Sequence, residues 1–76
     1  MINELDIVAL AVDLPEHGLK EGDTGTVVFV HEPGQYEVEF ITLQGDTIAL
    51  LPLSEEQVRP VAPGEVPHAR LVELQR

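Results

Sequence analysis

The chain has 76 residues, with 14 Asp and Glu against 4 Lys and Arg for a formal charge of -10, and it contains no cysteine. A chain of this length holds one domain at most and buries only roughly 60% of the surface its unfolded form exposes, which leaves little free energy for a strained or deeply excavated active site. The lack of cysteine excludes a disulfide framework, a thiolate metal site and a cysteine nucleophile, while a hydrophobic content of 43% separates the chain from acidic disordered tails.

Residues 5–12 (Leu-Asp-Ile-Val-Ala-Leu-Ala-Val) form an aliphatic run stopped by Asp13, Leu14 and Pro15. The run is short for a helix and reads as a first strand buried on much of both faces, with helix as the alternative because of its two alanines. Residues 13–23 carry Pro15, Gly18, Gly22 and four acids without a sustained period, the pattern of a long ordered loop. Residues 24–31 are mostly β-branched or aromatic past Gly25 and predict a second strand, which ends in a turn over Glu32, Pro33, Gly34 and Gln35. The clearest period follows, where Tyr36, Val38 and Phe40 alternate with Glu37 and Glu39. That is a third strand with one apolar and one acidic face.

Gly45 lies in the next turn, and residues 47–51 predict a fourth strand ending at Pro52. Ser54 and Gln57 have capping-box spacing, enough for one helical turn. Residues 58–61 predict a short fifth strand, placed at an edge because Pro60 cannot donate to a ladder.

The expected fold is therefore all-β: a small five-stranded SH3-like barrel with one helical turn before the last strand, occupying residues 1–61. An OB-like barrel is the rival and needs a longer chain with a true helix. The expected core is Ile7, Val8, Leu10, Val27, Phe29, Val38, Phe40, Ile48, Leu50 and Val58. Residues 62–76 read as a Pro/Gly linker and a short tail whose last nine residues could make two helical turns. Helices below roughly 12 residues are marginal alone, so Leu71, Val72 and Leu74 would have to dock on the barrel or on a second chain, giving a monomer or a tail-mediated dimer. Acids near Met1 and the lack of a long apolar run argue against a signal peptide or membrane span, and the expected location is cytoplasmic.

The spacing of Gly22 and Gly25 ahead of Val27 has the G-x-x-G-x-V form with which many SH3-like and KOW-type barrels open their second strand. Two glycines there let the chain turn sharply and approach its neighbour closely. The longer run over residues 13–28, followed by the strand over 36–40 and Ala49-Leu50, resembles the bacterial family catalogued as domain of unknown function 4926, whose shared core reads D-L-P-x-x-G-L-x-x-G-x-x-G-T-V-V. The resemblance implies an SH3-like fold, a bacterial source and an accessory or antitoxin-like role beside a neighbouring gene. It implies no catalytic residue, and it does not extend to the tail from Ala62.

Function is narrowed by charge. Residues 1–61 hold 12 acids and 2 bases, so the whole -10 lies on the barrel, whereas residues 62–76 balance 2 acids with 2 bases. Such a surface repels phosphate backbones, which disfavours direct nucleic-acid binding despite the KOW-like motif. The few aromatics point inward, against polyproline recognition. Asp13, Glu16, His17 and Asp23 share a loop without the spacing of a metal site, no catalytic motif is present, and neither metal nor cofactor is expected. A non-enzymatic module that binds a basic protein partner is the leading expectation. Its candidate contacts are Glu37 and Glu39 on the third strand with Glu16, His17, Leu19 and Glu21 in the long loop, where Leu14 and Leu19 either lie exposed or plug the open end of the barrel. The alternative is a KOW-like accessory of ribosomal or transcription machinery.

Overall fold

The alternation of apolar and acidic residues around Val38 makes an interior strand of a sheet with one buried and one wet face. A computed structural model describes residues 2–72 and shows five strands: β1 (Ile7–Leu10), β2 (Thr24–Glu32), β3 (Gln35–Ile41), β4 (Thr47–Ser54) and β5 (Val58–Pro60). All neighbours are antiparallel, in the order β4-β3-β2-β1-β5. The long β2 serves both halves, its start pairing with β1 through Thr24 to Thr26 and its remainder pairing with β3. The result is an all-β, SH3-like fold bent around a single core, with β4 and β5 as free edges and not a fully closed barrel.

The two glycines of the G-x-x-G segment do different work. Gly22 lies in the left-handed region at φ 94°, where it turns the chain into β2. Gly25 lies against β3 so closely that a Cβ would stand 2.8 Å from Val38 Cγ1 and 2.9 Å from both the Glu39 carbonyl oxygen and Phe40 Cε2.

Val8, Leu10, Val27, Val38, Phe40 and Val58 are buried as expected, but Ile7, Phe29 and Leu50 face outward and Ile48 is only half-buried. Bulges explain the last three of these. Val28 is an extra residue between the pairs Val27 with Val38 and Phe29 with Glu37, so Phe29 changes face. Ile48 is likewise extra between the pairs Phe40 with Ala49 and Ile41 with Thr47, which turns Leu51 and Leu53 inward and Leu50 outward. Ile7 pairs with Thr26 on the outer face. Leu14, Leu19, Tyr36, Leu53 and Ala9 complete the buried set.

Three local expectations also change. β4 runs through Pro52 to Ser54, because an edge strand leaves alternate N–H groups unused and tolerates a residue that has none. Before β5 a single turn is closed by the Gln57 N–H donating to the Ser54 carbonyl at 3.0 Å; Gln57 Oε1 caps the Ser54 N–H at 2.9 Å, while the Ser54 hydroxyl donates to the same oxygen. A 3-10 helix, Pro15–His17, stands in the long loop instead. The tail is not helical over residues 68–72, and the rest of the predicted helix, with Leu74, lies outside the described residues. Among the described residues, no helix is long and apolar enough to cross a membrane.

Candidate functional site

Strand pairing lines up two rows of side chains on the outer face of the sheet. One runs Ile7, Thr26, Glu39, Leu50 across β1 to β4; the other runs Phe29, Glu37, Pro52 across β2 to β4. Ile7, Phe29, Ile41 and Leu50 expose between 49% and 58% of their surface, so both carboxylates stand within an open apolar field. The carboxylates are held in place. Glu37 Oε1 lies 2.7 Å from His31 Nε2, and the His31 ring meets the Phe29 ring edge-on at 4.9 Å between centroids. Glu39 Oε2 accepts a hydrogen bond from the Thr47 hydroxyl at 3.0 Å. Periodicity predicted the outward direction of Glu37 and Glu39; it missed Phe29 and His31, whose placement depends on the β2 register shifts at Val28 and at His31 itself.

The long loop divides the other candidates. Leu14 and Leu19 form an isolated antiparallel bridge through two backbone hydrogen bonds, and both are buried in the core. They plug the barrel, so Leu19 is a core residue and not a surface contact. Glu16 and His17 line a cleft of about 240 Å³ together with Leu14, Leu51, Pro52, Leu53 and Gln57. Pro52 thus touches both this cleft and the Glu37 row. Glu21 lines neither, and its charge acts instead on Arg59 of β5. The candidates therefore form no single acidic face: Glu37 and Glu39 share one surface, Glu16 and His17 border it, and Glu21 is apart.

The loop carboxylates are engaged with the backbone. Asp13 Oδ1 accepts from the Glu21 N–H and Asp23 Oδ2 from the Lys20 N–H, each at 2.8 Å. Among the described residues, no group of three or more His, Asp or Glu is arranged to hold a metal ion.

Two ion pairs fasten the tail. Arg59 makes a two-pronged pair with Glu65 at 2.8 Å for each prong, and Glu65 Oε1 also accepts the Ala62 N–H. Arg70 reaches back to Asp23 and to the Gly18 carbonyl. The Arg59 guanidinium, helped by the Ala62 N–H, lowers the Glu65 carboxyl from its ordinary 4.5 to about 2. At Asp23, burial pushes the carboxyl up, but the Arg70 hydrogen bonds, the Lys20 N–H and the charges of Arg70 and Lys20 together hold it below its ordinary 3.8.

Both carboxyls have lowered pKa values in the folded chain, so their contribution is present above the ordinary values and is lost as the pH falls through the lowered ones. Acidification from pH 4.5 towards 2 should loosen the tail at Glu65. The Ala62 amide resonance is the reporter, and a resonance that does not move over this interval would sink the assignment.

The sequence profile of the family described as Domain of unknown function (DUF4926) matches residues 4–60. No match emerges among the curated proteins, and none among the solved structures. The matched span takes in the long loop, the G-x-x-G segment and all five strands, and the chain belongs to the DUF4926 family.

Proposed function

We propose that this chain is a protein-interaction module of a bacterial cytoplasm that acts by binding a basic protein, in the manner of an accessory or antitoxin-like partner, and not by catalysis. One observation carries the reading: the outer face of β1 to β4 presents Glu37 and Glu39, each oriented by a neighbour, between half-exposed Ile7, Phe29, Ile41 and Leu50. Apolar side chains supply desolvated contact area, and the fixed carboxylates choose a partner with complementary Lys or Arg and speed its encounter. The uncompensated acidity of the barrel supports the same choice, because it attracts basic proteins and repels nucleic-acid backbones. A binding role also suits a domain in which, among the described residues, no charged side chain is buried.

The test is capture of a basic protein from a lysate of the source cell on the immobilised full chain, with Glu37→Lys/Glu39→Lys as the comparison. The wild-type chain should retain a basic partner that leaves as salt rises, and the double variant should weaken that retention by about tenfold or more, because like charges then face each other. Both positions lie on the sheet surface, so circular dichroism should report an unchanged fold. Retention that is indifferent to salt and to the double change overturns the reading.

A further inference from the structure

The tail beyond β5 is exposed from Val61 through Ala69, yet Arg70 returns to a site 47 residues away in the chain. Its side chain is only 24% open, against 94% for its neighbour Leu71. The seat it occupies is built from two turns of the long loop. Gly18, left-handed at φ 70°, ends the 3-10 helix, and its carbonyl accepts Arg70 Nη2 at 2.9 Å. Asp23 is steadied by the Lys20 N–H; its Oδ1 accepts Arg70 Nε at 2.9 Å, and its Oδ2 accepts Nη2. A planar guanidinium fork thus meets a carboxylate side-on, with a carbonyl aligned to the same Nη2. A lysine ammonium, a single point of charge on a flexible stem, cannot fill this donor pattern.

The two halves of the contact have different standing in the chain. Gly18 and Asp23 lie within the family span of residues 4–60, and Arg70 lies outside it. We infer that the turn over residues 18–23 is a recognition site for an arginine side chain, occupied in cis by Arg70 and taken by an arginine of the partner when the tail is displaced. The tail is a weak competitor with a local advantage. Its tether holds Arg70 at an effective concentration in the millimolar range, so an incoming arginine sees only the fraction of molecules whose seat is open. A partner that also engages the outer face exceeds that threshold through its other contacts. The inference rests on the reading that the chain meets a basic protein, and it adds the side chain that is read.

The experiment uses the full chain carrying Arg70→Ala, and a capped peptide with the sequence of residues 66–72 (Val-Pro-His-Ala-Arg-Leu-Val), titrated through the millimolar range and followed by the amide shifts of Lys20 and Asp23. Saturable shifts are expected in the Arg70→Ala chain. They should be about tenfold weaker in the wild type, where the seat is filled. They should vanish when the peptide's arginine is replaced by lysine, and in Arg70→Ala/Asp23→Asn, whose Val27 and Val38 amides report whether the core is intact. No saturable shift in the Arg70→Ala chain, equal binding to the wild type, or equal binding of the lysine peptide overturns the proposal. Glu37→Lys/Glu39→Lys should leave peptide binding unchanged, so failure of the outer-face reading and failure of the arginine seat are told apart.

Discussion

Replacing Gly25 by Ala should destabilise the fold by about 2–3 kcal/mol, the upper part of the range for overpacking a core. The added methyl would lie 2.8 Å from Val38 Cγ1 and 2.9 Å from Phe40 Cε2 and the Glu39 carbonyl oxygen. The two side chains could yield by turning, but both are fully buried, and the carbonyl belongs to β3, paired on both sides, and cannot yield without shifting the ladder. In a domain this small the corresponding fall in melting temperature is roughly 10–20 °C. Gly22→Ala provides the internal comparison. A Cβ at Gly22 meets nothing within 4 Å, so its cost is only that of a side chain at φ 94°, about 1 kcal/mol. Urea unfolding of the two variants decides the matter: if Gly22→Ala proves the more damaging, the close approach of β2 to β3 is wrong.

Phe40→Ala should remove about 3–5 kcal/mol, whereas Phe29→Ala should remove less than about 1. Phe40 is 1% exposed at the centre of the core and Phe29 is 49% exposed beside Glu37. Total stability expected for a chain of this length is only about 4–11 kcal/mol, so Phe40→Ala removes a large part of it. Phe40→Leu, which keeps most of the volume, provides a measurable midpoint shift if the alanine variant does not fold. Near-equal losses for Phe29→Ala and Phe40→Ala would mean that Phe29 points inward and that the Val28 bulge is absent.

That comparison also marks the limit of what periodicity discloses. Tyr36, Val38 and Phe40 fall on one apolar face because acids separate them, so the face of β3 is readable residue by residue. In Val27-Val28-Phe29-Val30 every residue is apolar, and nothing local says which of them is the extra one. Ile48 hides the β4 bulge in the same way within Thr-Ile-Ala-Leu-Leu. Pro60 reads as an edge residue and lies on an edge strand, whereas Pro52 reads as a strand end and lies inside β4, because the same chemistry permits either outcome and only the sheet order chooses. Short hairpins make β2, β3 and β4 neighbours, whereas the pairing of β5 with β1 is announced by no local pattern.

The candidate site was legible only in part. Glu37 and Glu39 point outward as alternation requires, whereas His31 and Phe29 join them through bulge geometry. Leu19 belongs to the core because it bridges to Leu14 across a turn, a pairing that the loop composition does not announce. The contact between Arg70 and Asp23 spans 47 residues and joins a tail to a loop, so no pattern within either segment contains it.

The two free edges of the sheet each contain a proline, Pro52 in β4 and Pro60 in β5. An open sheet can template further copies of itself, since each edge offers a row of backbone groups to any extended chain. Here neither border offers an unbroken row of N–H donors, and β5 is only three residues long. Growth of stacked strands into fibrils is thereby interrupted at both borders. A chain that leaves its barrel open and its outer face half apolar thus has both sheet borders blunted against backbone pairing, and only its side chains are left to make contacts there.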